Sequence, residues 1–218
     1  MSASPSTIRP VWKLRHPASG LLHLAGAVSS LLGMIWMLTW TSHLLATLVF
    51  GCSMVLLYGA SSTYHLVHAP AAAMRVLRLL DHSMIYVFIA GSYTPFCLLG
   101  VPPSLGIPFA IAMWSMGILG VAVKLFYSGN SRVLRVGLYL IMGWIGAALL
   151  PAMYRTLPPG GFAWFVAGGA IYTVGALVYA FKRPDPFPEH FGYHEIWHLF
   201  VLGGSGCHFW AISQYVLR

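Results

Sequence analysis

Three histidines and one aspartate stand out in this sequence because ionisable side chains are scarce among its long apolar runs. His194 and His198 are four positions apart, so on a helix both imidazoles project from the same face. One helix can offer two nitrogen ligands to a metal ion in this way. His65 and Asp81 lie at the edges of two other apolar runs. Because an ionisable group is costly at membrane depth, each of the four is a functional-site hypothesis.

The composition is that of a protein embedded in a lipid bilayer. Hydrophobic residues make up 58% of the 218 residues and charged residues only 7%, whereas a soluble domain carries roughly 25% charged residues. The formal net charge of +8 is spread thinly among apolar runs, which excludes a soluble nucleic-acid binder. The same apolar composition excludes intrinsic disorder. A secreted disulfide scaffold is excluded because the three cysteines, an odd number, lie inside apolar runs. We therefore expect an integral protein of the cell membrane, with no nucleic-acid partner.

The positions of charged residues, prolines and glycines divide the chain into apolar segments of helical length. At roughly 20 apolar residues per crossing, the length accommodates about seven membrane-spanning helices. We expect an all-α, polytopic seven-transmembrane helix bundle over residues 19–218, preceded by a short tail over residues 1–18. The predicted segments are Leu21–Trp40, Leu44–Tyr64, Ser83–Leu99, Ser104–Phe126, Leu134–Met153, Phe162–Phe181 and Ile196–Leu217.

The basic residues predict the orientation of this bundle. Ten of the twelve Lys and Arg residues fall in the tail or in every second connection, and only Arg155 and Arg218 fall on the opposite side. Because short cytoplasmic loops retain positive charge, we expect a cytoplasmic N-terminus and an external C-terminus.

This topology predicts that the four ionisable groups share one membrane level near the cytoplasmic face. The second span ends there with His65, the third begins with Asp81, and the seventh begins with His194 and His198. Three imidazoles with an open fourth position are typical of a catalytic Zn²⁺. Asp81 could bind the zinc directly or hold a zinc-bound water, and we favour the water. Ser61, one turn before His65, could donate a hydrogen bond to the reacting group or support a ligand.

Three further ionisable residues are expected to lie apart from this site. His208 lies ten residues beyond His198, roughly 15 Å along a helix, so it cannot share the metal. We expect it to face the bundle interior or a water-filled cavity, and His23 in the first span to do the same. Glu195 is rotated about 100° from His194 and is expected to face the headgroup region.

Several motifs together give the chain a family resemblance. They are Ser61-x3-His65, Leu80-Asp81-x-Ser83, Gly91-Ser92-Tyr93-Thr94-Pro95 and His194-x3-His198-x9-His208. With them the chain resembles the hemolysin III family, within the progestin and adipoQ receptor superfamily that includes the adiponectin receptors. The resemblance implies that His65, in the Ser-x3-His motif, and His194 and His198, in the His-x3-His part of the last motif, bind zinc. It also implies that Asp81 holds a zinc-bound water near the cytoplasmic side, with Ser61 at the reacting position.

These observations predict a zinc-dependent integral membrane hydrolase that acts on a lipid amide, such as a ceramide, or on a lipid ester. Asp81 is the expected general base, and a membrane lipid is the expected substrate. A zinc-containing sensor or receptor and an ion or proton transporter remain alternatives, and a cytolytic pore is a third. Haem ligation is disfavoured because the three histidines cluster at one rim rather than facing each other at mid-depth.

Overall fold

The computed structural model of the protein describes residues 14–126 and 132–218. Within these residues the regular secondary structure is helical, apart from one isolated bridge between Phe187 and Phe191. The predicted tail therefore lies mostly outside the described residues. The helices are α1 (Pro17–Leu38), α2 (Leu44–Leu66), α3 (Ala71–Pro95), α4 (Pro103–Phe126), α5 (Arg132–Ile145), α6 (Leu150–Thr156), α7 (Pro159–Phe181) and α8 (Tyr193–Ala211).

Proline residues and short turns of other helical geometry set the helix boundaries. Pro17 and Pro159 stand in the first turns of α1 and α7, where the missing N–H has no intrahelical partner to lose. Short π-helical turns continue α3 over Phe96–Gly100 and α8 over Ile212–Val216. A 3-10 turn over Gly146–Leu149 joins α5 to α6. Helix α5, this turn and α6 therefore form one continuous helical segment among the described residues.

Six helical segments of the described chain are long and apolar enough to cross a membrane. They are Pro17–Leu38, Leu44–Leu66, Ala71–Gly100, Pro103–Phe126, Leu134–Thr156 and Pro159–Phe181. The protein is therefore an all-helical integral membrane protein, as predicted. The last helix, α8, is not among the six, since His194, Glu195 and His198 in its first two turns lower its hydropathy. The seven-span count and the orientation stay predictions.

The third helix begins well before the predicted segment Ser83–Leu99. It starts at Ala71, because no proline or glycine interrupts the chain between Pro70 and Gly91 and the intervening residues include many strong helix formers. Asp81 therefore lies within a helix rather than at its beginning, which corrects the expected boundary.

The helices pack so that the beginnings of α1, α3 and α8 and the end of α2 meet at one end of the bundle. The largest interfaces join α1 to α2, α7 to α8 and α2 to α3, and α1 also contacts α8. Small residues permit the close approaches: a Cβ added at Gly91 would lie 2.3 Å from Oγ of Ser53. This packing places residues from α1, α2, α3 and α8 around one site.

Candidate metal centre

The imidazoles of His65, His194 and His198 converge at the meeting point of α2 and α8. Each offers one nitrogen, and the three nitrogens lie within 4.8 Å of one another. Nε2 of His65 lies 3.3 Å from Nε2 of His194. Two nitrogens bound to one tetrahedral zinc at the usual bond length are themselves about 3.3 Å apart. The spacing and the type of donor atom therefore fit a zinc ion held by three neutral imidazoles. Two of the rings, His65 and His198, are buried.

A hydrogen bond to α1 orients His198. Its Nδ1 lies 3.2 Å from the carbonyl oxygen of Ser19, and a carbonyl oxygen can only accept, so Nδ1 donates. Nε2 then keeps its lone pair, which could bind a metal ion. A hydrogen bond of this kind on the far nitrogen fixes the ring and its tautomer.

Ser19 is itself held by Glu195, which joins the beginnings of α1 and α8. The Ser19 hydroxyl donates to Oε1 of Glu195 at 2.5 Å, and Oε2 of Glu195 accepts from the N–H of Gly192 at 2.9 Å. Glu195 therefore faces α1 rather than the headgroup region. The expectation was wrong because the first turn of α8 abuts α1, and the carboxylate also caps that turn.

His23 of α1 stacks on His198. The ring centroids are 3.7 Å apart and the planes are 10° from parallel, while the ring of Tyr58 meets His23 edge-on at 5.0 Å. Because the two rings are stacked face to face, their nitrogens do not converge on one point, and His23 does not belong to the described set of converging ligand atoms. Both nitrogens of His23 are buried without a hydrogen-bond partner among the described residues.

Sequence reasoning did not assign Ser19, Glu195 or His23 to the site. The available signal was weak: Ser19 and His23 are four positions apart on α1, so they lie on one helix face. Nothing in the local sequence indicates that this face meets α8. His23 does lie in the bundle interior, as expected.

The predicted reacting group, Asp81, lies in the same cavity as the three histidines. One carboxylate oxygen is 3.4 Å from Nδ1 of His82, and the Ser61 hydroxyl is a hydrogen-bonding neighbour of the carboxyl group. Asp81 does not belong to the described set of ligand atoms that lie within 4.8 Å of one another. The geometry therefore separates Asp81 from the three imidazoles while keeping it on the shared cavity.

This cavity has a volume of about 870 Å³ and runs from the three histidines into the apolar interior. Phe88, Trp144 and Val166 contribute to its apolar walls. His208 lines it farther along α8, where its Nε2 donates to the carbonyl oxygen of Phe165 at 3.2 Å. The expectation that His208 faces the bundle interior is therefore met, and the cavity is large enough for a hydrocarbon chain.

The fold and the site together define an all-helical integral membrane protein with a cluster of three histidines, of which His65 and His198 are buried. A family model described as Haemolysin-III related matches residues 12–209. The chain therefore belongs to the haemolysin III family, within the progestin and adipoQ receptor superfamily, as its motifs predicted.

Similar proteins include bacterial hemolysin-3 proteins and an adiponectin receptor protein. The chain is 35% identical over 206 residues to Hemolysin-3 of Bacillus cereus, covering 92% of this chain and 91% of the relative. It is 32% identical over 207 residues to the Hemolysin-3 homolog of Bacillus subtilis (strain 168), covering 92% and 94%. It is also similar to the Adiponectin receptor protein of Drosophila melanogaster, at 27% identity over 191 residues, 77% of this chain and 42% of the relative.

Proposed function

We propose that the protein is a zinc-dependent membrane hydrolase that cleaves a lipid amide, such as a ceramide, or a lipid ester. The observation that carries this proposal is that His65, His194 and His198 converge on a cavity that Asp81 also lines. Three nitrogen ligands leave one tetrahedral position open, which is typical of catalytic rather than structural zinc. The apolar interior of the cavity suits the hydrocarbon part of a lipid.

The proposal includes a topology. It takes Tyr193–Val216 as a seventh span and places the N-terminus, the metal centre and the mouth of the cavity on the cytoplasmic side. The excess of Lys and Arg at that end supports this orientation.

Asp81 and Ser61 have separate roles in the proposed hydrolysis, beside the role of the metal ion. Zinc, when bound, supplies a Lewis acid that polarises a carbonyl group and lowers the pKa of a coordinated water toward about 7. Asp81 accepts a proton from the attacking water and returns it to the leaving amine or alcohol. Ser61 stands beside Asp81, where its hydroxyl can donate to the carboxylate or to the substrate carbonyl.

The substitution Asp81→Asn tests this assignment, because an amide retains the shape of the side chain but cannot accept the proton. We expect turnover of a long-chain ceramide to fall by about 10²- to 10⁴-fold, the usual contribution of general acid–base catalysis. Zinc content should stay at one ion per chain. Asp185→Asn is the matched control: Asp185 also lines the cavity, but its Oδ1 accepts from the N–H of Tyr193 at 3.0 Å, which an amide oxygen can also do.

Two outcomes would contradict the proposal. Loss of zinc from the Asp81→Asn variant would make Asp81 a direct ligand. Wild-type protein that is fully loaded with zinc but hydrolyses neither a lipid amide nor a lipid ester would refute the hydrolase.

A zinc-containing sensor or transporter is the second candidate. It is favoured by buried polar groups that continue along α8 beyond the metal centre: the hydroxyls of Tyr58 and Ser205 are hydrogen-bonded to each other, and His208 follows one turn later. Such a series serves a proton or ion pathway as well as it serves a substrate cavity. The ceramide assay on wild-type protein separates the two.

A further inference from the structure

Basic side chains surround the cavity at the end where α1 and α3 begin and α4 ends. Arg15, Arg78 and Lys124 all line it there, and we call these three residues the cationic mouth. Arg135, at the beginning of α5, lines the same end. The four residues come from four different segments of the chain, so only the fold brings their charges together.

The ring of Tyr64 organises two of these charges. The guanidinium carbon of Arg15 lies 4.2 Å from the Tyr64 ring centroid, and that of Arg78 lies 5.9 Å from it. Nε of Arg78 also donates to the Tyr64 hydroxyl at 3.0 Å. Tyr64 directly precedes His65 in α2, so both guanidinium groups are held beside the proposed metal centre.

No carboxylate oxygen of the described chain lies within 4.0 Å of a side-chain nitrogen of the cationic mouth, although Asp81 is near enough for its charge to attract that of Arg15. Within residues 14–126 and 132–218, the one contact within 4.0 Å between an acidic and a basic side chain joins Asp81 to His82. The other two carboxylates that line the cavity are engaged elsewhere, Asp185 with the N–H of Tyr193 and Glu195 with Ser19 and Gly192.

The basic groups of this end also repel one another. The positive charges of Arg78 and Arg135 are close enough to act on Lys124. A cavity lined by one sign of charge and bounded by apolar walls concentrates its field on a ligand of the opposite sign.

We propose that the cationic mouth binds the phosphate group of a lipid whose hydrocarbon chain lies in the cavity, so that the ligand is an anionic amphiphile. Guanidinium groups match the oxygen geometry of phosphate, and a phosphate monoester carries a charge of about −1.5 to −2 at pH 7. The inference deepens the proposed function, on which it rests for placing the scissile bond at the metal centre.

Binding of two lipids that differ only in the phosphate tests the inference. The full chain, loaded with zinc and kept in detergent micelles, is titrated with 1-oleoyl lysophosphatidic acid and with 1-oleoylglycerol, and bound lipid is counted by native mass spectrometry. We expect the phosphate lipid to bind at least about tenfold more tightly, as charge-assisted hydrogen bonds to phosphate require. The Arg78→Gln, Lys124→Gln variant should lose this preference and keep its affinity for 1-oleoylglycerol.

The matched control is the Arg75→Gln, Lys182→Gln variant. It removes the same charge from positions that do not line the cavity; Arg75 and Lys182 are exposed, as Arg78 is. We expect it to keep the wild-type preference, which distinguishes a built site from the general attraction of a basic surface for anions. Unchanged zinc content and elution volume verify that both variants are folded.

Three results would overturn the inference: equal affinity of the wild type for the two lipids, an equal loss in the control variant, or persistence of the preference in the Arg78→Gln, Lys124→Gln variant. If inorganic phosphate bound as tightly as the phosphate lipid, the ligand would be a soluble anion rather than a lipid, and the inference would be wrong. The binding measurement does not depend on catalysis, so it is independent of the hydrolysis assay. Selective binding of the phosphate lipid by a protein that hydrolyses no lipid would refute the proposed hydrolase but would support the phosphate site.

Discussion

The link from Ser19 to Glu195 is expected to control metal affinity although neither residue touches the metal. The Ser19 carbonyl oxygen accepts from Nδ1 of His198 at 3.2 Å, and its hydroxyl donates to Glu195 at 2.5 Å. Ser19→Ala removes the second bond, so the beginning of α1 is no longer held against α8. The carbonyl that orients His198 then loses its fixed position.

The size of the effect follows from the chemistry of the bond. A hydrogen bond to a charged group contributes about 1.5–3 kcal/mol, and every 1.4 kcal/mol or so is a factor of about ten in affinity. Loss of a group that orients a ligand typically weakens metal binding by about 10- to 100-fold. We therefore expect a loss of about 10- to 100-fold in zinc affinity, measured by competition with a chelator of known affinity.

A double-mutant cycle identifies the bond as the cause. Glu195→Gln weakens the same contact, while its amide oxygen can still accept from Gly192. The double variant should lose little more affinity than either single variant, because both changes remove one shared interaction. Ser30→Ala is the control, since the buried hydroxyl of Ser30 bonds only to the Gly26 carbonyl of its own helix. Additive losses, or an equal loss in the Ser30 variant, would refute the reasoning.

Three further outcomes are expected. Purified protein should carry one zinc per chain, and His194→Ala should empty the site in elemental analysis; full occupancy in that variant would contradict the three-histidine centre. In a Cys52→Ser background, an impermeant thiol reagent applied outside should label a cysteine at Pro158 and not one at Ala72, both exposed positions; the reverse pattern would invert the topology. His23→Phe should retain more zinc affinity than His23→Ala, because a planar ring preserves the stack on His198; equal affinities would show that the stack does not support the ligand.

The sequence alone was sufficient for the class of protein, the helices and the set of candidate ligands. Whether a segment is apolar enough to enter lipid, and where prolines interrupt it, depends only on the residues of that segment. The membrane class and most helical segments could therefore be predicted from the sequence. The separation of His194 from His198 matches one turn of helix, so their shared face was also a local prediction. The sequence predicts too late a start for α3, because the polar residue Asp81 resembles a helix boundary although the helix continues through it.

Only the tertiary structure decided which groups surround those ligands. His23, Ser19 and Glu195 join the site because α1 packs against α8, and the residues in contact are 175 to 179 positions apart in the chain. The cationic mouth likewise depends on the ends of separate helices meeting. Such contacts depend on how each helix is rotated about its axis and on how closely neighbouring helices approach. Small residues such as Gly91 allow a neighbouring helix to come close. The spacing of residues along one helix does not indicate which other helix that face will contact. The positions of the side chains around the site are therefore determined only when the helices pack together.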